Sequence, residues 1–238
     1  MSKKIVISGG SGRFGTYLKK IRTKHKLFFP SKKQLDILNK KSIYKYLKKN
    51  KPEILIHLAG LSRPMNIHEK DVIKSINLNI IGTANITMVC STLNIKLIYF
   101  STNYVYPGKR GNYRETDPLL PVNNYAWSKL GGETSVQLYK NSLILRVCMT
   151  EKPFVHKKAF VNVKTSFTYH QEAAKILFKL LNKKGIINLG GKKQSIYNFA
   201  KKDNKKIKKI YLKKNIKSIM PFDSSINLSK LKKILKKN

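Results

Sequence analysis

Residues 54–59, Ile-Leu-Ile-His-Leu-Ala, form a nearly continuous apolar run. Such a run reads as a strand buried on both faces, the kind that parallel sheets use. Runs of the same character recur at residues 5–8, 26–30, 96–101 and 143–147. Between them lie helical stretches at 14–24, 36–50, 71–93 and 124–140. The third places Ile73, Ile76, Ile80, Ala84 and Thr87 on one face. Strand–helix alternation of this kind requires right-handed crossovers. The expected fold class is therefore α/β, a doubly wound parallel sheet with helices on both faces.

The rhythm weakens near residue 150. Beyond it, 171–182 reads as a helix, 185–189 as a strand and 195–202 as a short helix. From Lys192 to the end there are 16 lysines against two acids, Asp203 and Asp223. Yet Ile207, Ile210, Leu212, Ile216, Ile219, Met220 and Phe222 are too many apolar groups for a solvated tail. The expected organisation is a dinucleotide-binding domain over 1–150, with the catalytic helix, and a small basic substrate lobe over 151–238, partly interleaved with the first. With 238 residues and 41% hydrophobic side chains, a packed core forms readily and global disorder is excluded. No apolar run reaches 18 residues, so no transmembrane helix is expected. The four-residue run at 5–8 is too short for a signal-peptide core. Two cysteines, Cys90 and Cys148, exclude a disulfide scaffold, and a cytoplasmic location is expected.

The formal charge is +39, from 50 Lys+Arg against 11 Asp+Glu. A field of that size attracts nucleic acid, anionic lipid or polyphosphate ligands. The lysines are spread through the whole chain and are not interleaved with aromatics in a stacking pattern. They read as solvated faces, and no specific nucleic-acid site or membrane insertion is expected.

Gly9-Gly10-Ser11-Gly12-Arg13-Phe14-Gly15 follows the first strand and opens the first helix. Glycine permits positive φ and a close backbone approach to a pyrophosphate, and the helix start supplies unpaired N–H groups. A glycine-rich turn without function is the alternative. The second strand continues Phe28-Phe29-Pro30-Ser31-Lys32-Lys33, with no carboxylate to hold a ribose 2′-OH and with two cations that match a 2′-phosphate. NADPH is therefore favoured over NADH; otherwise Lys32 and Lys33 are two surface lysines among many.

Tyr125 and Lys129 stand at i and i+4, on one face of a helix. A free phenol has a pKa near 10, and a neighbouring cation lowers it toward neutrality. Ser101-Thr102 closes a strand, where a hydroxyl can hydrogen-bond a carbonyl. Together these suggest a hydride-transfer site with Tyr125 as acid/base, Lys129 as its tuner and a hold on the cofactor ribose, and Thr102 as polariser.

With these pieces assembled, the chain resembles an extended short-chain dehydrogenase/reductase, within that group the dTDP-4-dehydrorhamnose reductases and related nucleotide-sugar enzymes. The resemblance rests on residues 9–15, His57-Leu58-Ala59-Gly60, Asn79-Ile80-Ile81-Gly82-Thr83, residues 101–108, Glu115-Thr116-Asp117-Pro118, residues 125–133 and Leu145-Arg146. Weaker echoes are residues 195–200 and 221–225. It implies a Rossmann-type sheet with a shortened C-terminal lobe. It implies Gly9, Ser11, Gly12, Arg13, Phe14 and Gly15 as the cofactor loop, and Asp36 and Ile37 near the adenine. It also places Leu58, Ala59 and Gly60 along the cofactor and Phe100 toward the nicotinamide. Asn103 lies beside the sugar in this pattern, with Thr102 and Tyr125. His57 is then a strand residue in the core. His25, His68, His156 and His170 show no ligand spacing, and no metal is expected.

Three departures bear on specificity. Asn103 stands where the reductase pattern has Asp, and Met149 stands where it has a sugar-contacting aromatic. The second lobe is short, which leaves a shallower pocket or one completed by a partner chain in a homodimer. An amide at Asn103 cannot act as a general base, so dehydration is disfavoured. The sequence points to an NAD(P)H-dependent reductase of a 4-keto-6-deoxy nucleotide sugar. An NAD-dependent 4-epimerase and a non-catalytic regulatory protein on the same fold are the alternatives.

Overall fold

Ile5, Val6 and Ile7 have no exposed surface, and neither do Leu55 and Ile56. Such burial requires helices on both faces of the sheet they belong to. The computed structural model describes residues 1–213 and 220–236. Its elements are β1 (Lys4–Ser8), α1 (Arg13–Leu18), β2 (Lys26–Phe28), α2 (Lys40–Asn50), β3 (Ile54–His57), α3 (Ile67–Lys70), α4 (Val72–Ser75), a π-helical stretch (Ile76–Ile81), α5 (Gly82–Thr92), β4 (Lys96–Thr102), a 3-10 turn (Asn103–Val105), α6 (Asn124–Gln137), β5 (Ser142–Val147), β6 (Met149–Thr150), β7 (Lys158–Phe160), β8 (Lys164–Thr165), β9 (Thr168–Tyr169), α7 (His170–Lys179), β10 (Gly185–Leu189), β11 (Gln194–Ser195), α8 (Ile196–Ala200), β12 (Lys208–Ile210) and α9 (Ser229–Lys236).

The central sheet has six strands in the order β10-β5-β4-β3-β1-β2. β1 pairs in parallel with both β2 and β3, and β3 in parallel with β4. Val6 stands opposite Leu55, and Leu55 opposite Leu97, so one apolar row crosses three strands. The strand order reverses between β1 and β3. In doubly wound sheets, ligands bind outside the carboxyl ends of the strands at such a reversal.

The chain divides into two compact units: residues 1–101, 127–145 and 181–186 form one, and 102–126, 146–180 and 187–238 the other. Residues 102–126, assigned from the sequence to the first domain, cluster with the second unit. The first unit is centred on Val6, Ile43, Leu47, Leu55, Ile86, Leu97, Tyr99 and Val136. The second holds an aromatic cluster of Phe154 and Phe199, with Phe167, Tyr169 and Tyr197 packed against it. It also buries Arg146, which donates to the Tyr106 hydroxyl (2.9 Å) and the Glu115 carbonyl (3.0 Å).

The expected long elements are present with shifted ends. α1 stops at Leu18 instead of Lys24, because Lys19, Lys20, Arg22 and Lys24 crowd like charges at helical spacing without an acid among them. α2 begins at Lys40, since Asn39 caps it by accepting from the Ser42 N–H and Asp36 forms its own turn onto the Leu38 N–H. The helix expected over 71–93 is capped by Asp71 and widens into the π-helical stretch before α5. Missed from the sequence are the two- and three-residue strands of the second unit, whose pairing is set by tertiary contacts, and α9. Of the apolar tail residues, Ile207 is buried, and Leu212 and Met220 pack on the aromatic cluster. Ile216 and Ile219 lie outside the described residues.

Candidate active site

Gly9 follows β1 with φ +77°, a left-handed conformation that a side chain resists, and a Cβ there would meet the Ala59 backbone nitrogen at 2.5 Å. The Gly12 N–H donates to the Gly9 carbonyl at 2.9 Å and closes the turn. A Cβ on Gly15 would press to 2.6 Å from that same carbonyl. The glycines are thus required by backbone packed on backbone. Ser11, Gly12 and Arg13 face solvent, while Phe14 is buried and its ring lies 5.3 Å from that of Phe100. The Arg13 guanidinium donates to the Ser62 hydroxyl at 3.4 Å.

Of the residues expected beside a cofactor, Leu58 and Ala59 lie against Gly9 and Phe100 lies against Phe14. Ala59 abuts Gly9, Leu58 joins the turn after β3, and Gly60 is exposed. Ile37 is buried and packs on Gly82, and its carbonyl accepts from the Asn85 amide at 3.0 Å. Asp36 is half-buried and spends one oxygen on its own turn. Lys32 and Lys33 are exposed in the turn after β2.

α6 carries Tyr125 and Lys129 one turn apart, and the Ala126 N–H near its start donates to Asn123 Oδ1. Tyr125 is half-buried, and its ring meets that of Tyr104 edge-on at 6.5 Å. The Thr102 hydroxyl accepts from the Tyr104 N–H at 3.3 Å, which leaves its own proton available to a carbonyl oxygen. Lys129 is buried, with its ammonium 4.2 Å from the centre of the Tyr99 ring. Burial pulls that ammonium down from 10.5 to about 7, and Glu133 acts in the opposite sense.

Beneath Lys129 lies a polar layer that the sequence reading left without a role. The Tyr99 hydroxyl donates to the Lys129 carbonyl at 3.0 Å. Asn79, in the π-helical stretch, donates to the Ser128 hydroxyl and the Leu61 carbonyl, and accepts from the Leu61 N–H. His57 is fully buried between Ser8 (2.8 Å) and Thr83 (3.2 Å). Burial, with the Lys129 charge adding to it, holds its pKa down to about 3, so it is neutral. The core role expected for it agrees with this placement. Asn79 and Glu133 were signalled by the quoted motifs, which carry no roles by themselves.

Asn103 is buried, and its amide donates to the Ser224 carbonyl at 2.9 Å. Met149 is half-buried in β6, paired with Thr168 in β9. Among the described residues no group of three metal-ligating side chains gathers, and no helix is long and apolar enough to cross a membrane.

A doubly wound parallel sheet with a glycine cradle at its reversal point, and a helix bearing a phenol and a buried lysine one turn apart, define a Rossmann-type protein of the short-chain dehydrogenase/reductase build. Residues 3–183 match the family described as the RmlD substrate binding domain, and the chain belongs to that family. It is 32% identical over 114 residues to methionine adenosyltransferase 2 subunit beta of Xenopus laevis, a match covering 48% of this chain and 34% of that protein. It is 28% identical over 152 residues to the dTDP-4-dehydrorhamnose reductase of Aggregatibacter actinomycetemcomitans, covering 62% and 51%. The chain thus spans about a third to a half of the length of these curated relatives. Among solved structures, the dTDP-4-dehydrorhamnose reductase of Bacillus anthracis in complex with NADP superposes with a TM-score of 0.86 at 22% identity, covering 98% of this chain and 92% of that one. A hypothetical dTDP-4-dehydrorhamnose reductase from Sulfolobus tokodaii gives 0.80 at 24%, covering 97% and 94%.

Proposed function

We propose that this chain is an NAD(P)H-dependent reductase of a 4-keto-6-deoxy nucleotide sugar, with a substrate of the kind its dTDP-4-dehydrorhamnose reductase relatives are named for. The observation that carries the reading is the pairing, on one turn of α6, of a half-buried phenol with a buried lysine whose proton affinity is drawn toward neutral pH. The glycine-rich turn between β1 and α1 suits a dinucleotide pyrophosphate, and glycine at 9 and 15 lets that turn close tightly on the backbone of Ala59 and on itself.

In this reading, residues 9–15 hold the pyrophosphate and Lys129 the ribose. A bound reduced nicotinamide supplies a hydride to the keto carbon. The Tyr125 phenol donates its proton to the carbonyl oxygen as charge develops there. The Lys129 ammonium lowers the phenol's proton affinity, and the Thr102 hydroxyl donates a hydrogen bond to the same oxygen. The basic surface draws in a doubly phosphorylated substrate. Two free, buried cysteines suit the reducing cytoplasm. A homodimer is the expected assembly, checked by sedimentation.

The test is NADPH oxidation in the presence of freshly generated dTDP-4-dehydrorhamnose. Tyr125→Phe should abolish turnover and retain NADPH binding; unchanged turnover would overturn the mechanism. Likeness to methionine adenosyltransferase 2 subunit beta favours a second reading, a regulatory protein that binds the cofactor without turnover. The presence of Thr102, Tyr125 and Lys129 together favours the reductase. A 4-epimerase would turn over without net NADPH consumption.

A further inference from the structure

Glu133 has no exposed surface, and of the other acids only Asp223 is also buried. Taking a carboxylate out of water is costly unless it is hydrogen-bonded and its charge is met. Ser101 donates to Oε2 at 2.5 Å, and Gln137 donates to Oε1 at 3.4 Å. These two hydrogen bonds fix the direction of the carboxylate. One turn earlier on the same face of α6 stands Lys129.

The groups that act on Lys129 come from several elements. Tyr99 on β4 offers its ring face. His57 on β3 is neutral, and on α3 the proton affinity of His68 is lowered mainly by burial. Glu133 is the carboxylate that favours the charged lysine. The helix has no room to slide, because a Cβ on Gly132 would meet the Asn79 carbonyl at 2.4 Å and the Tyr99 hydroxyl at 2.8 Å.

We propose that Glu133 is a positioning residue for the reaction: clamped by Ser101 at the end of β4, its buried carboxylate keeps the Lys129 ammonium charged and fixed on its face of α6. The inference rests on the reading of Lys129 as part of the proton-transfer pair. Ser101 directly precedes Thr102, so the same clamp ties the polarising strand end to the helix.

The experiment is a double-mutant cycle in the cofactor-free protein, with Glu133→Gln introduced into the parent and into Lys129→Met. At pH 7 the loss in urea midpoint from Glu133→Gln should be at least twofold larger in the parent than in the Lys129→Met background. The gap should shrink at pH 10, where the lysine loses its proton. Equal losses in both backgrounds at both pH values would overturn the proposal, since a merely structural carboxylate does not sense the lysine. Should Glu133→Gln fail to fold in the parent, Ser101→Ala takes its place in the same cycle, with the same two outcomes. NADPH oxidation gives the second readout: Glu133→Gln should move the alkaline fall of kcat to lower pH with KM for the nucleotide sugar within about twofold, and an unmoved profile counts against it. If Lys129→Met keeps full turnover while the cycle shows coupling, the catalytic reading fails and the Glu133–Lys129 pair stands. If Lys129→Met is inactive and the cycle shows none, the reverse holds.

Discussion

Replacing Lys129 by methionine should make the protein more stable while removing its proposed activity. The fall in proton affinity from 10.5 to about 7, at about 1.36 kcal/mol per pH unit, caps the cost of burying the ammonium at about 5 kcal/mol. Methionine preserves the length and packing of the side chain but forfeits the contact with the Tyr99 ring, worth about 1–2 kcal/mol in a desolvated setting. A net gain of at most about 3–4 kcal/mol remains. The sign follows from linkage. The unfolded chain holds the lysine proton up to pH 10.5 and the folded chain only up to about 7, so the cost is full below pH 7 and fades as pH rises to 10.5. Urea denaturation of both proteins at pH 7 and pH 10.5 checks this. The variant should be the more stable at pH 7, and the difference should nearly vanish at pH 10.5. A variant no more stable than the parent at pH 7, or a difference independent of pH, would refute the argument.

Gly9→Ala should cost at least about 1–2 kcal/mol from the left-handed backbone alone, with further loss from overlap with Ala59, and should abolish NADPH binding; fluorescence titration and thermal melting measure both. His57 resists protonation down to about pH 3 while the unfolded chain accepts a proton near 6.5, so stability should fall as pH drops through that window. In His57→Gln, denaturant midpoints across pH 3–7 should show a flatter dependence; an identical slope would remove His57 as the cause. Lys32→Ala with Lys33→Ala should raise KM for NADPH severalfold and leave KM for NADH unchanged, and an equal effect on both would show that these lysines are ordinary surface groups.

The sheet was legible because its strands are short apolar runs covered on both faces, and burial of Ile5, Leu55 and Leu97 leaves little freedom in that pattern. The glycine loop and the Tyr125–Lys129 spacing were legible because each depends on local geometry alone. What escaped is what depends on distant partners. The strands of the second unit are two or three residues long and exist through pairings such as that of Gln194 with Thr165. Glu133 closes the 125–133 motif, but its role was not legible there, since it depends on Ser101, far away in sequence. The π-helical widening that aims Asn79 at Leu61 and Ser128 leaves no mark in helical periodicity.

Asn103 also bears on how this chain could diversify. Its amide hydrogen points at the Ser224 carbonyl, 2.9 Å away inside the protein. A one-codon change to aspartate, the group an acid–base elimination would require, would set two oxygen acceptors face to face, a conflict of about 1–3 kcal/mol. The loop bearing Ser224 would have to reshape first, so the order of mutations, and not their number, restricts the route to that new chemistry.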